Sequence, residues 1–208
     1  MKYELQNIIS GEGEVIYGNA IQTIANYLKR GTRASKLVKE SEFFRKQETE
    51  ILISYITDHN LWIKEINVDN YISEGAEQKV YLNDGKNVLK LNDAIFYASW
   101  TDYFHNLLLN NYFFPDTAYE LLGFYQEENT VYAVVKQGFI RATEKTNLEF
   151  VKEFMAENGF ANTRNNDYYN PNLGIILEDL HDENVLTENG ILQFIDTVFY
   201  LTDTFYKK

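Results

Sequence analysis

The chain has 208 residues, of which 45% are hydrophobic and 15% aromatic, so it is long and apolar enough to bury the core of one large domain or two small lobes. It contains no cysteine, which excludes disulfides, thiolate metal sites and a cysteine nucleophile. The net charge of −12 disfavours nucleic acid as a partner, because an acidic surface repels phosphates. No stretch approaches the roughly 18 apolar residues of a membrane span, and the first residues do not resemble a signal peptide, so we expect a cytoplasmic protein without a membrane partner.

The first part of the chain has the pattern of helices. Apolar residues recur at helical spacing in residues 15–30 and again in residues 41–58. The basic residues 29–46 are expected to be a solvated helix surface and not a binding patch. The GEGE sequence that begins at Gly11 has no lysine after it, so we interpret it as a turn and not as a phosphate-binding loop. Residues 1–65 are therefore predicted to form a helical N-terminal extension.

Residues 66–138 have the pattern of a small lobe rich in β-structure. Two apolar runs flank Asp84-Gly85, which is a strong signal for a β-hairpin. Residues 94–110 then show the apolar spacing of an amphipathic helix. Two further strands follow, and a turn near residues 128–129 joins them.

Residues 139–208 begin with another helix. The helical pattern runs from residue 146 to residue 159. Thr146 and Glu149 fit a capping box, in which each side chain bonds the backbone of the other residue, and Gly159 fits a C-terminal stop.

The last predicted elements are strands. The polar residues 160–172 are expected to form a loop. Residues 174–199 predict a strand, a loop and a hairpin that turns at Asn189-Gly190. Strands and helices thus follow one another without strict alternation, which predicts the α+β class.

Three polar side chains stand at the ends of these last strands. Asp179 follows an apolar strand, and Asn184 and Asp196 flank the predicted hairpin, which would bring them together. Oxygen donors of this kind suit Mg²⁺, and a further carboxylate is able to orient an attacking hydroxyl and accept its proton. These are the parts that phosphoryl transfer requires. The alternative is that Asp179 and Asn184 are ordinary turn formers, although Asp196 in apolar surroundings needs a partner.

The stretch DLHDENVL followed by FID resembles the catalytic and metal-binding segments of protein-kinase-like phosphotransferases. Small-molecule kinases of that superfamily commonly read D-L-H-x-x-N-I-L and then I-D. In particular, the stretch resembles the kinase-like domain found in polyvalent proteins of phages and mobile elements. The resemblance implies that Asp179 is the catalytic aspartate and that Asn184 and Asp196 bind Mg²⁺. It also implies ATP as a cofactor and a reduced two-lobed kinase-like fold with a truncated C-terminal lobe.

The upstream stretch SEGAEQKVYLNDGKNVLKL resembles a nucleotide-covering hairpin and the strand after it. By this resemblance Lys90 matches the catalytic lysine that holds the nucleotide phosphates, and Gly75 lies at the glycine-rich turn. Residues 136–139 match the strand that enters the hinge, so Gln137 is predicted to contact the nucleotide. The similarity covers roughly residues 70–200.

Some residues depart from the family pattern. The turn holds only Gly75, followed by Ala76-Glu77, which gives phosphates a poorer approach to the backbone. The helix after Lys90 has no glutamate to pair with it, and Asp102 is a shorter candidate. Twelve residues follow Asp196, too few for an activation segment, so we expect phosphorylation of protein substrates to be disfavoured. Two other functions stay open: a pseudokinase-like module that holds a partner protein, and an acidic partner of a basic protein.

Overall fold

The computed structural model describes residues 1–33, 41–75 and 78–207, without the side chains of residues 32, 33 and 41–44. Its helices are α1 (Lys2–Ser10), α2 (Gly18–Arg33), α3 (Ser41–Asp58), α4 (Trp100–Phe113), α5 (Leu148–Glu157) and α6 (Asp203–Tyr206). Its strands are β1 (Tyr71–Glu74), β2 (Gln78–Leu82), β3 (Asn87–Asn92), β4 (Glu120–Glu127), β5 (Thr130–Gly138), β6 (Ala161–Arg164), β7 (Asp167–Asn170), β8 (Ile175–Glu178), β9 (Val185–Glu188), β10 (Ile191–Phe194) and β11 (Val198–Leu201). The α+β class is therefore confirmed. Residues 34–40 of the basic stretch, and Ala76-Glu77 of the turn, lie outside the described residues.

Helices α1, α2 and α3 pack with α4 around a shared core. The helices predicted near residues 15–30 and 41–58 are confirmed as α2 and α3. Helix α1 was not predicted, since it buries only Leu5, Ile8 and Ile9. It ends at Gly11, whose φ of 82° is left-handed, which confirms the turn in the GEGE sequence.

The first sheet has five antiparallel strands in the order β1-β2-β3-β5-β4. The predicted hairpin at Asp84-Gly85 is confirmed, because Asp84 Oδ1 accepts the backbone N–H of Lys86 at 3.0 Å and of Asn87 at 2.8 Å. One face of the sheet packs on α4, and a smaller apolar cluster lies apart from that core: Ile66, Tyr81, Leu91 and Val134. Strand β1 is an exposed edge strand, and its antiparallel pairing with β2 forms the hairpin at Gly75 that the resemblance implied.

Helix α4 lies at the centre of the molecule, between α2 and β11. The predicted start at residue 94 is wrong, because Ala94 has a φ of 57° and its N–H bonds Asn92 Oδ1 at 2.7 Å. The helix begins at Trp100, after Ser99, whose Oγ accepts the N–H of Asp102 at 3.0 Å.

The cap of helix α5 lies one residue later than predicted. Asn147 is the capping residue, since its Oδ1 accepts the N–H of Glu149 at 3.0 Å. The predicted capping box is wrong, because the hydroxyl of Thr146 lies 3.0 Å from that of Thr187. Gly159 follows the C-cap with a φ of 81°, as predicted.

The polar residues 160–172, predicted as a loop, contain the hairpin β6–β7 instead. This hairpin turns at Asn165, whose φ of 47° is left-handed, and joins a sheet in the order β11-β8-β7-β6. Strands β9 and β10 form a separate two-stranded sheet. Their turn at Asn189-Gly190 has φ values of 52° and 77°, which confirms the predicted hairpin.

One hydrophobic core connects all these parts, from Leu5 in α1 to Phe205 in α6. Helix α1 also bonds α6, because Lys2 Nζ donates to Thr204 O at 2.7 Å. The N-terminal helices are therefore built into the same core as both larger sheets. Among the described residues, no helix combines the length and the apolarity that crossing a membrane requires.

Candidate active site

A cleft lies between the β1–β2 end of the five-stranded sheet and the β9–β10 hairpin. It consists of two adjoining cavities of about 280 Å³ and 250 Å³. Both cavities are lined by Gly75, Gln78, Glu183, Asn184 and Asp196. The first cavity also contains Lys90 and Gln137, and the second contains Asp179 and His181. All the residues that the sequence predicted for a site thus line this cleft.

Lys90 brings a buried positive charge to the cleft. It lies on β3 and is 4% exposed. Its Nζ donates to the carbonyl of Ile195 at 2.7 Å and lies 5.5 Å from the centre of the Tyr119 ring. Burial lowers the pKa of Lys90, and the nearby Asp196 carboxylate opposes this effect. An anion bound in the cleft would therefore stabilise the charged form of this side chain.

The expected partner of Lys90 is placed elsewhere. Asp102 Oδ2 accepts the hydroxyl of Ser99 at 2.7 Å, at the start of α4, so its assignment as the partner is wrong. None of the ion pairs found among the described residues includes Lys90. The neighbouring acid is Asp196, on the opposite side of the cleft.

Asp196 stands between the end of β10 and the start of β11. Its Oδ2 accepts a hydrogen bond from the amide of Gln78, the first residue of β2. Gln78 was not predicted as a site residue. The only signal in the sequence is an uncharged polar residue just after the turn that holds Gly75, which is too common to single it out.

The backbone before Asp196 is held by residues that follow α4. The hydroxyl of Thr117 donates to Phe194 O at 2.5 Å. The carbonyl of Ile195 accepts from Tyr119 Oη at 2.8 Å, in addition to Lys90. These bonds fix the end of β10 against the five-stranded sheet.

The backbone after Asp196 is held by α4 itself. Thr197 donates its hydroxyl to Asn110 Oδ1 at 3.1 Å, and Asn106 Oδ1 accepts the N–H of Phe199 at 2.8 Å. All four side chains are buried. The two asparagines were missed, although amides four residues apart in an apolar helix are a recognisable signal of polar contacts inside the core.

Asp179 and Asn184 form a compact loop at the mouth of the cleft. The amide nitrogen of Asn184 donates to Asp179 O and to Asp179 Oδ2, both at 2.9 Å. His181 Nε2 lies 3.2 Å from Asp179 Oδ1. Asp179 has a left-handed φ of 69° and an exposed carboxylate. The loop thus presents a carboxylate to the solvent while its amide braces that carboxylate.

The oxygen donors of the cleft suit a magnesium ion that is shared with a nucleotide. Asn184 uses its nitrogen towards Asp179, which leaves its amide oxygen as the remaining donor atom, and Asp196 supplies a carboxylate. Mg²⁺ in nucleotide sites is held by one or two protein groups together with phosphates and water, so this small set fits it. The described residues contain no cluster of three His, Cys, Asp or Glu side chains that could hold a metal without a substrate.

Gly75 and Gln137 line the cleft in different ways. The N–H of Gly75 donates to Gln78 O at 3.0 Å, and an added Cβ would meet no described atom within 4 Å. The side chain of Gln137 is buried and donates to Thr117 O at 2.7 Å. The amide nitrogen of Gln137 is therefore already bonded inside the fold.

An antiparallel sheet, a central helix and a cleft with this order of elements are consistent with a small kinase-like domain. A family model described as "Serine/Threonine/Tyrosine Kinase found in polyvalent proteins" matches residues 45–203. Since the match covers more than half of the chain, the chain belongs to this family of kinase-like domains, which confirms the resemblance drawn from the sequence. A search of curated proteins found no matching relative, and a search of solved structures found no match.

Proposed function

We propose that the protein binds ATP with Mg²⁺ in the cleft and transfers the γ-phosphoryl group to a hydroxyl. The observation that carries this proposal is the convergence of buried Lys90 with Asp179, Asn184 and Asp196 around adjoining cavities. In this proposal, residues 66–138 act as the nucleotide lobe and residues 139–208 as a minimal C-terminal lobe. Residues 1–65 form the extension, and the protein works in the cytoplasm.

The first cavity of the cleft, which contains Lys90, has the groups that a nucleotide requires. Val80, Val88 and Leu186 line it and suit the apolar faces of a purine. Lys90 contributes a cation for the phosphates, and Gly75 lines the same cavity. Binding energy would come from apolar contact at one end of the ligand and from charge at the other.

The second cavity of the cleft, which contains Asp179, has the groups that phosphoryl transfer requires. Asn184 and Asp196 would hold Mg²⁺, which neutralises the charge of the phosphates when it is bound. The exposed carboxylate of Asp179 orients the acceptor hydroxyl. As the acceptor oxygen bonds the γ-phosphorus, the bond to the oxygen between the β- and γ-phosphates breaks, ADP leaves and Asp179 takes the proton.

The family description names serine, threonine and tyrosine kinases, so we extend the proposal to hydroxyls of proteins as acceptors. The position of Asp179 supports them, since its carboxylate lies at the open mouth of the cleft where a large acceptor is able to approach.

Binding is tested by melting temperature with ATP and Mg²⁺. We expect ATP–Mg²⁺ to raise the melting temperature of the parent, because a ligand that binds only the folded state stabilises it. Lys90→Met and Asp196→Asn should abolish the rise. Lys79→Met is the matched control, because Lys79 pairs with Glu127 at 2.6 Å and does not line either cavity. No rise in the parent would contradict the proposal.

Transfer is tested separately with labelled ATP and a mixture of protein acceptors. We expect Asp179→Asn to retain the thermal shift and to lose transfer, because it preserves the shape of the loop but removes the base. Equal transfer by this variant would contradict the role of Asp179.

The second candidate is a binding module that holds a nucleotide or partner without turnover. Gln78 favours it, because its amide already occupies an oxygen of the carboxylate that Mg²⁺ would use. A thermal shift with ATP in the parent, without any transfer to protein acceptors, would support this function.

A further inference from the structure

A second concave surface lies between α5 and the β9–β10 hairpin. Its cavity of about 420 Å³ is separate from the cleft, and we call it the α5 groove. Three large apolar side chains line it and are exposed: Phe150 by 60%, Phe154 by 39% and Ile191 by 60%. Single exposed apolar residues are ordinary on protein surfaces, but a groove that gathers several of them marks an interaction site.

Helix α5 has apolar residues on two faces. Val151 and Met155 are buried and pack in the core. Phe150 and Phe154 are also four residues apart and form a second stripe, which stays partly exposed although the Phe154 ring packs against Phe194 with the ring centres 5.4 Å apart. A helix at the surface needs only one apolar face for folding, and the second face is therefore available for a partner.

The surroundings of the α5 groove are acidic. The lysines nearby are already paired, Lys145 with Asp182 at 3.7 Å and Lys152 with Glu149 at 3.5 Å. Four further acids lie on α5 and on the segments beside the groove: Glu144, Glu153, Glu157 and Glu188. None of the ion pairs found among the described residues includes these four. A partner with positive charges beside its apolar side chains would therefore complement this surface.

The β9–β10 hairpin connects the groove to the cleft. Its open end carries Asn184 and Asp196, and its turn carries Gly190 and Ile191 at the groove. Four residues of strand span roughly 13 Å, so the two sites lie within the reach of a short extended segment.

We propose that the α5 groove docks an amphipathic segment of the acceptor protein, with apolar side chains that enter the groove and lysines or arginines that face its acidic rim. This inference deepens the proposed function and rests on it, because the proposed function makes the docked protein an acceptor of the phosphoryl group. The docked segment would hold the hydroxyl-bearing part of its chain near Asp179, which raises the local concentration of the acceptor.

The probe is a labelled helical peptide with leucines at positions i and i+4, lysines between them and one serine beyond. Its controls are a scrambled peptide of the same composition and a version with glutamates for the lysines. Fluorescence anisotropy with the full chain should show binding of the first peptide, roughly tenfold weaker binding of the scrambled one, and none of the acidic one. Binding should weaken when salt is raised to ~0.5 M, because the charges are exposed.

Matched variants locate the binding surface. Phe150→Ser and Ile191→Ser should each weaken peptide binding by about tenfold, which corresponds to the loss of one buried anchor. Val68→Ser is the control, since Val68 is 70% exposed and does not line the groove. If circular dichroism shows that Phe150→Ser or Ile191→Ser does not fold, Phe154→Ser is used in place of that variant.

Three outcomes would overturn the inference: equal binding by the groove variants and the parent, equal binding of the scrambled peptide, or a concentration-dependent dimer in sedimentation that Phe150→Ser dissolves. The last outcome would assign the groove to a second copy of the chain. Peptide binding is also measured on Lys90→Met. If the peptide binds both to Lys90→Met and to the parent, but the parent transfers no phosphoryl group, the proposed function fails and the groove remains a docking site.

Discussion

The hydroxyl of Thr197 donates to Asn110 Oδ1 at 3.1 Å, inside the core. Thr197 follows Asp196 directly, and Asn110 lies near the C-terminal end of α4. The same asparagine also donates its nitrogen to Thr117 O at 3.3 Å. One amide thus ties the residue after Asp196 to the segment that leads into β4.

This bond predicts a measurable coupling between the two residues. Asn110→Ala should destabilise the fold by about 1–3 kcal/mol, because it leaves the hydroxyl of Thr197 buried without its acceptor. Thr197→Val removes the other partner of the same bond and should cost a similar amount, because it leaves Asn110 Oδ1 buried without its donor. In a double-mutant cycle by urea denaturation we expect a coupling of about 0.5–1.5 kcal/mol. Asn83→Ala, at an exposed position after β2, is the control. Additive effects of the first two changes would show that the bond contributes nothing.

The hydrogen bond from Gln78 to Asp196 predicts that a mutation of Gln78 increases the affinity for ATP–Mg²⁺. Its amide donates to Asp196 Oδ2 and competes with a cation for that oxygen. We therefore expect Gln78→Leu to bind ATP–Mg²⁺ more tightly, by roughly threefold to tenfold, which is the order of the net contribution of one hydrogen bond. Calorimetric titration with ATP and Mg²⁺ measures the change. Weaker binding by the variant would instead show that Gln78 contacts the ligand.

The contacts of Glu48 predict that the stability of the fold depends strongly on α3. This buried carboxylate accepts from the backbone N–H of Trp100 at 2.7 Å and of Thr101 at 3.1 Å, so it caps the start of α4 from another helix. Glu48→Ala should lower the free energy of unfolding by about 2–4 kcal/mol, because two N–H groups lose their acceptor. Burial raises the pKa of Glu48, so Glu48→Gln, which resembles the protonated form, should cost less.

Urea denaturation checks both changes at Glu48. Glu50→Ala, at an exposed position of the same helix, is expected to stay within about 0.5 kcal/mol of the parent. A similar small effect for Glu48→Ala would contradict the capping role.

His105 predicts a loss of stability in mild acid. It is buried on α4, its Nδ1 has no hydrogen-bond partner among the described residues, and burial together with Lys29 lowers its pKa to about 4 from the ordinary 6.5. Between these values the unfolded chain binds a proton that the folded chain excludes, so stability falls as pH decreases from about 6.5 to about 4. A single group of this kind contributes about 3 kcal/mol to the change.

The pH dependence is measured by urea denaturation between pH 7 and pH 4. We expect His105→Leu to flatten the part of the curve that His105 causes. An unchanged slope in His105→Leu would assign the acid sensitivity to carboxylates.

The hairpins of the fold were predictable where local chemistry determines them. Asp84-Gly85 and Asn189-Gly190 favour tight turns for reasons within a few residues, and both turns are present. The hairpin β6–β7 was not predictable in this way. Its strands are short and polar on one side, and they are stabilised by pairing with β8, which only the assembled sheet supplies.

The residues of the cleft were predictable to a similar, limited degree. Asp179, Asn184 and Asp196 stand close together along the chain and Lys90 lies on an apolar strand, so a motif indicates them. Their supports come from distant positions: Asn106 and Asn110 on α4, Gln78 on β2 and Glu48 on α3. A pattern of a few residues does not contain such contacts, and the wrong pairing of Lys90 with Asp102 arose for this reason.

The attachment of residues 194–199 has a consequence for how a ligand is exchanged. These residues belong to the C-terminal strands, yet they are bonded to α4, to Tyr119 and to β3. A movement of the C-terminal strands away from the five-stranded sheet and α4 would therefore break all of these bonds at once. Strand β1, in contrast, is paired with β2 alone and forms an outer wall of the cleft. We therefore predict that the proposed nucleotide exchanges by fraying of this single edge strand, at a rate that follows the local opening of the strand and not the motion of a hinge.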